Sequence, residues 1–156
     1  MGNSQEIIPQ LNQILSLYLT AINQYFIHAE MCKDWDYKQL FEKFRKQSIV
    51  SMYSAEEIIR RILFLKGQPN LSDYQKIRVG KKVEKQLTND LKLQQELVQI
   101  LNKAVETSRQ KKDDGTRQLL KKLVSEEEEY IDWLEAQLNR IEGVGKANYL
   151  AHQIHK

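Results

Sequence analysis

The chain has 156 residues, enough for one domain with a sizeable buried core, and is taken as a single unit over 1–156. Two prolines and six glycines beside abundant Leu, Ile, Gln, Glu and Lys point to an all-α protein. A net charge of +3 with dispersed lysines does not gather the basic face that a nucleic-acid groove needs, and no apolar run is long enough for a transmembrane helix.

Apolar residues Ile7, Leu11, Ile14, Tyr18, Ile22, Tyr25 and Ala29 recur at three- and four-residue spacing, which predicts a first helix over residues 5–33. Pro9 costs a backbone bond if the helix has begun four residues earlier, so a frayed or kinked start is expected. The absence of a basic-then-apolar leader around Glu6 and Pro9, together with a single cysteine, Cys32, suggests a cytoplasmic protein. Asp36 followed by Gln39 has the spacing of a capping box and opens a second helix. That helix carries Leu40, Phe44, Ser48, Ser51, Ala55, Ile58, Ile62 and Leu65, then stops at Gly67-Gln68-Pro69. Residues 67–81 lack periodicity and are expected to form a long crossover.

A third helix from about Lys82 to Lys111 presents Val83, Leu87, Leu91, Gln94, Val98, Leu101 and Val105. Asp113-Asp114-Gly115 breaks the chain before a fourth helix with Leu120, Leu123, Glu127, Tyr130, Leu134, Leu138 and Ile141 on one stripe. Gly143 and Gly145 then set off a short fifth helix ending near Gln153. Four long helices and one long central connection predict a four-helix bundle.

Six positions stand out because they interrupt these stripes with polar groups: Tyr18, Ser51, Ser54, Gln94, Glu127 and Tyr130. Ser51 and Ser54 share a helix face, as do Glu127 and Tyr130, since three residues make nearly one turn. In the run Glu126–Glu129 only Glu127 lies on the stripe, so its neighbours are expected at the surface. Among the histidines, His28 is offset from the stripe, and His152 with His155 forms no strong ligand pattern with carboxylates.

The segments Ala21-Ile22-Asn23-Gln24-Tyr25-Phe26, Arg61-Ile62-Leu63-Phe64-Leu65, Pro69-Asn70-Leu71, Ile131-Asp132-Trp133-Leu134-Glu135 and Asn148-Tyr149-Leu150 resemble the bacterioferritin family. The resemblance runs the whole chain. It implies a ferritin-like bundle with a long B–C crossover, a hollow shell of twenty-four subunits, and a stored ferric mineral. It also implies a di-iron site of four carboxylates and two histidines that oxidises iron(II). Position by position, Tyr18 stands for a terminal Glu, Ser51 and Ser54 for a Glu and His, Gln94 for another Glu, and Tyr130 for the second His. Glu127 alone is kept. Two iron(II) ions bring four positive charges, which one carboxylate cannot balance in a poorly solvated core, and neutral hydroxyl or amide oxygens replace hydration poorly. No intact di-iron site, and hence no catalytic residue, is expected.

Met52 follows Ser51 and so points about 100° away from the bundle centre. The resemblance implies haem b on a two-fold axis, with Met52 from each subunit as axial ligand to the haem iron. Leu19, Ile22, Asn23, Phe26, Ile49, Ala55 and Ile59 match its apolar pocket. It also implies a ferredoxin dock near the crossover, but Gln68-Pro69 with Lys81 and Lys85 reverses the acidic charge usual there, and apolar Val50 replaces a common acid. The expected function is therefore a haem-binding storage subunit, homo- or hetero-oligomeric, that co-assembles with ferroxidase-active subunits. Two alternatives stand beside it: a conventional ferroxidase using Glu56, Glu57, Glu96 or Glu126, and a haem electron-transfer protein that stores no iron.

Overall fold

A computed structural model describes residues 6–154. It contains α1 (Ile7–Asp34), α2 (Lys38–Phe64), α3 (Val83–Gln110), α4 (Asp114–Val144) and α5 (Lys146–Ala151). Helix α2 returns along α1 and α4 along α3, while α1 also packs on α3. Side-chain pairs fix the directions. Gln10 bonds Thr107 and Cys32 bonds Gln86, so α1 and α3 are antiparallel. Glu57 pairs with Lys122 and Phe44 meets Trp133, so α2 and α4 are antiparallel too. The core is one apolar cluster shared by all five helices. No helix among the described residues is long and apolar enough to cross a membrane.

Several local expectations change. The predicted start of α1 at residue 5 lies outside the described residues. Because α1 begins at Ile7, Pro9 falls in its first turn, where backbone N–H groups have no intrahelical partner, and it costs no bond. The capping box at Asp36 does not form. Asp36 adopts φ 65°, and Tyr37 is the N-cap of α2 without a side-chain bond. Instead, the free N–H of Gln39 donates to the carbonyl of Gln153, so the segment after α5 closes the start of α2. Asp36 belongs to the end of α1, in a Schellman closure where Asp36 and Tyr37 N–H groups donate to Lys33 and Cys32.

The same closure ends α2 at Lys66 and α3 at Lys112, both with positive φ. On α3 the buried side is Asp90, Leu93, Gln94, Leu97, Leu101 and Ala104, while Leu91, Val98 and Val105 of the predicted stripe are only half-buried. Asp113 caps α4 by accepting from the Thr116 N–H at 3.1 Å. Gly143 lies inside α4, so the break falls on Gly145 alone, and α5 ends at Ala151 rather than Gln153.

The crossover runs beside α1, tied down by polar side chains along one edge of that helix. Asn12 Oδ1 accepts from the Asn70 N–H, Thr20 Oγ1 from Gln75, Gln24 Oε1 from Arg78 and His28 Nε2 from Gly80, at 2.8–3.0 Å. Thr20, Gln24 and His28 recur every four residues, so they form one edge of the helix. The last contact fixes the His28 proton on Nδ1, which lies 2.9 Å from Asp90 Oδ1. Gly80 must be glycine here, because a Cβ would collide with the backbone of α3 at Gln86.

Candidate functional site

All six polar positions of the helix stripes are buried in the structure. Three meet directly. Tyr18 Oη, from α1, donates to Glu127 Oε2 at 2.8 Å. Gln94 Nε2, from α3, donates to Glu127 Oε1 at 2.9 Å and to the Glu127 carbonyl at 3.3 Å. The Gln94 amide oxygen in turn accepts from Tyr25 Oη. Every bond in this chain points toward one carboxylate, and each of its oxygens has a donor.

Glu127 is 0% exposed. Burial pushes its pKa up, and the bonds from Gln94 and Tyr18 work against that shift. Burial, reinforced by the Glu127 charge, also holds Tyr18 well above the usual phenol range, so its proton stays in place. Each donor occupies one of the two lone pairs on its oxygen, lone pairs that a metal ligand would offer.

The remaining three positions border this network. Ser54 bonds back to the Val50 carbonyl at 3.2 Å and lies against the Tyr18 hydroxyl. Ser51 Oγ and Tyr130 Oη are buried without a hydrogen-bond partner among the described residues. The Tyr130 ring packs on Tyr25, with centroids 5.6 Å apart, and stacks on Trp133 at 5.6 Å and 6°.

Between α2 and α4 a cleft of about 490 Å³ reaches Ser54 and Tyr130. Its walls carry Lys43, Lys46, Glu57, Glu126 and Glu129, with half-buried Val50 among them. The Lys43 ammonium lies over the Trp133 ring at 5.3 Å and the Tyr130 ring at 5.9 Å. Burial draws the Lys43 pKa down, and the charge on Lys46 adds to the effect. A cation entering this cleft therefore meets two ammonium groups as well as three carboxylates.

Glu126, Glu128 and Glu129 are exposed, with Glu127 alone turned inward. Of the other acids weighed as ligands, Glu57 bonds Lys122 at 2.6 Å, Glu96 pairs with Arg78 at 3.1 Å, and Glu56 is exposed. His28 is fully buried beside Asp90, with Nδ1 2.9 Å from its Oδ1. Burial raises the Asp90 pKa and the His28 contact opposes it. The His152 ring Nδ1 lies 2.8 Å from the Asn148 carbonyl, and His155 lies outside the described residues. Among the described residues, no three of His, Cys, Asp and Glu gather into a metal-binding group.

Tyr25 and Asp90 were not singled out by sequence. Tyr25 is seven residues from Tyr18, two turns along the same stripe, and Asp90 is one turn before Gln94. Tyr25 lies on the predicted α1 stripe and could have been found as a polar partner there, whereas Asp90 lies one residue off the predicted α3 stripe.

Met52 is turned away from this network on α2 and is 46% exposed. Phe26 (53% exposed) and Asn23 are open on α1, while Leu19, Ile22, Ile49 and Ile59 are half-buried. Ala55 differs from this set, being turned into the core. Lys81 and Lys85 are exposed around the start of α3.

Comparison with known proteins places this architecture. The ferritin-like domain family matches residues 8–144. Bacterioferritin of Mycobacterium leprae is 38% identical over 97% of this chain and 95% of its own length. Bacterioferritin of Brucella melitensis is 35% identical over 96% and 92%, and a bacterial ferritin of Synechocystis sp. is 37% identical over 99% of both chains. The chain belongs to the bacterioferritins, within the ferritin-like family.

Proposed function

We infer that this protein is an iron-storage shell subunit without its own ferroxidase centre, which builds the shell and relies on catalytic subunits to oxidise iron. The observation that carries this reading is that Glu127, the sole carboxylate among the six central positions, is held by donors from Tyr18 and Gln94 where two irons would need several anionic ligands. The substitutions support one another as a set. Hydroxyl and amide donors replace two cations, and a single buried charge is left hydrogen-bonded rather than four left unpaired. Twenty-four such subunits, alone or mixed with a ferroxidase-active relative, would enclose ferric mineral in the cytoplasm. Exposed Lys81 and Lys85 disfavour an acid-lined ferredoxin dock and suit a more acidic reductant.

The exposed Met52 face supports haem b. Its donor chemistry fits, because a thioether is a soft neutral ligand for haem iron and the surrounding surface is largely apolar. One subunit provides only half such a site, and a second copy across a two-fold axis would provide the other Met52 and bury the apolar face. The group would supply one-electron transfer across the shell. The protein's own part is to hold it and exclude water from it.

Mass spectrometry of shells isolated from the source cell tests the mixed assembly. A second ferritin-like chain carrying the full ligand set is expected, and shells made only of this chain would remove that part of the reading. The haem part is tested by Met52→Leu, which is expected to abolish the bis-thioether absorption spectrum while the shell still assembles.

A further inference from the structure

At the end of the bundle where α1 turns into α2, three distant parts of the chain line a pocket of about 320 Å³. Trp35 and Tyr37 come from the α1–α2 turn, Lys81 and Lys82 from the end of the crossover, and Lys146 from the first position of α5. Local closures hold these walls in place. The Trp35 and Tyr37 N–H groups donate back to Met31 and Cys32, and the Gln39 N–H holds the segment after α5 through the Gln153 carbonyl. The two half-buried aromatic rings meet edge to face, with centroids 6.2 Å apart. All three lysines are exposed. The lysine ion pairs among the described residues are those of Lys111 and Lys122, so these three ammonium groups face no carboxylate partner. Asp34, Asp36 and Glu84 adjoin the pocket in sequence, yet none of them lines it. Lys82 is also the N-cap of α3 and makes no side-chain cap bond, so the partial positive charge of that helix end adds to the lysines. Like charges gathered in this way repel one another, and a bound anion relieves that repulsion.

We propose that this pocket binds an aromatic phosphate of mononucleotide size, with its ring against Trp35 and Tyr37 and its phosphates on Lys81, Lys82 and Lys146. The two chemistries of the wall match the two halves of such a ligand. An aromatic face takes a flat ring by stacking, and lysines bind phosphate as point charges through charge-assisted hydrogen bonds. Size separates a small molecule from a protein partner. The volume lies at the small end of the roughly 300–1,000 Å³ span of small-molecule sites, whereas a partner helix with its side chains is about 10 Å across. The pocket shares no residue with the Glu127 network or with the Met52 face. Lys81 belongs to the surface discussed above for a reductant, so the test leaves Lys81 in place.

The test is a titration of the assembled, iron-free shell with ADP, adenosine and pyrophosphate, read by tryptophan fluorescence and by calorimetry. Of the two tryptophans, Trp133 is stacked on Tyr130, so quenching by a bound ring reports on Trp35. ADP is expected to quench saturably and to bind about tenfold more tightly than pyrophosphate, the contribution of one stacked base. The Lys82→Gln/Lys146→Gln protein is expected to bind ADP on the order of tenfold more weakly, with adenosine unchanged between the two proteins. Trp35→Leu, followed by calorimetry, is expected to bring the ADP affinity down to that of pyrophosphate. Absence of saturable ADP binding, or equal ADP affinity with and without the two lysines, overturns the proposal. Pyrophosphate binding as tight as ADP overturns the part of the aromatic ring. A polyglutamate peptide that binds through Lys82 and Lys146 where ADP does not would make the pocket a protein dock and overturn it as well.

Discussion

Tyr18 Oη donates to Glu127 Oε2 at 2.8 Å across the centre of the bundle, joining the first helix to the fourth. The bond does two things. It solvates a buried carboxylate with protein rather than water, and it removes a lone pair from metal coordination. Tyr18→Phe is therefore expected to lower stability by about 1–3 kcal/mol at neutral pH, because a buried charge loses a donor. Ser51→Ala removes a hydroxyl that has no partner and is expected to be neutral or slightly stabilising. Thermal unfolding of the two variants side by side checks the contrast, which reverses if Ser51 rather than Tyr18 supports Glu127.

Glu127 also sets a pH dependence. Its pKa is raised in the folded state, chiefly by burial, above the ordinary 4.5. Such a group contributes stability that is fully present below its unfolded pKa and is lost as pH rises through the folded pKa. Glu127→Gln has no such titration. The melting temperature of Glu127→Gln minus that of the unsubstituted protein is thus expected to climb as pH rises above about 4.5. A difference that stays flat or falls would mean that the hydrogen bonds outweigh burial.

The glycines differ sharply in what a methyl group would meet. At Gly80 it strikes the α3 backbone at Gln86, at Gly67 it meets Ile8 side-chain atoms at 2.8–2.9 Å, and at Gly115 it meets only the guanidinium end of Arg61 at 2.7 Å. Backbone yields least and a long side chain most. Alanine substitutions are expected to destabilise in the order Gly80, Gly67, Gly115, with Gly80→Ala costing about 3 kcal/mol or more as the crossover is pushed off α3. Calorimetry of the three variants gives the order directly.

Cys32 is fully buried, and burial pushes its thiol pKa up to about 12. Since the thiolate is the reactive form, the folded protein at pH 8 is expected to resist a disulfide reagent for hours, and to react with one equivalent per chain in denaturant. Rapid labelling of the native protein would place the thiol at an accessible surface.

The helices were legible because their apolar periodicity is long, and the central polar positions because they break it. What escaped the sequence was of a different kind. Asp36 and Gln39 have capping spacing, yet the end of α1 claims Asp36 for a left-handed residue and Gln153 supplies the closure from the far end of the chain. The Thr20, Gln24 and His28 edge reads as an ordinary polar face until the crossover is laid against it. Asp90 was passed over because the α3 stripe was drawn through Leu91, one residue away from the buried side. For Gln39 and for the Thr20, Gln24 and His28 edge the deciding partner is distant in sequence, so local pattern carries no trace of it.

Aerobic oxidation of iron(II) by the purified homopolymer, followed against a protein-free control, tests the central claim most directly. The account predicts a rate equal to the control, with no fixed iron-per-subunit stoichiometry, because Glu127 is the sole carboxylate among the six central positions and both its oxygens are already bonded. Saturable oxidation at a defined number of irons per subunit would contradict it.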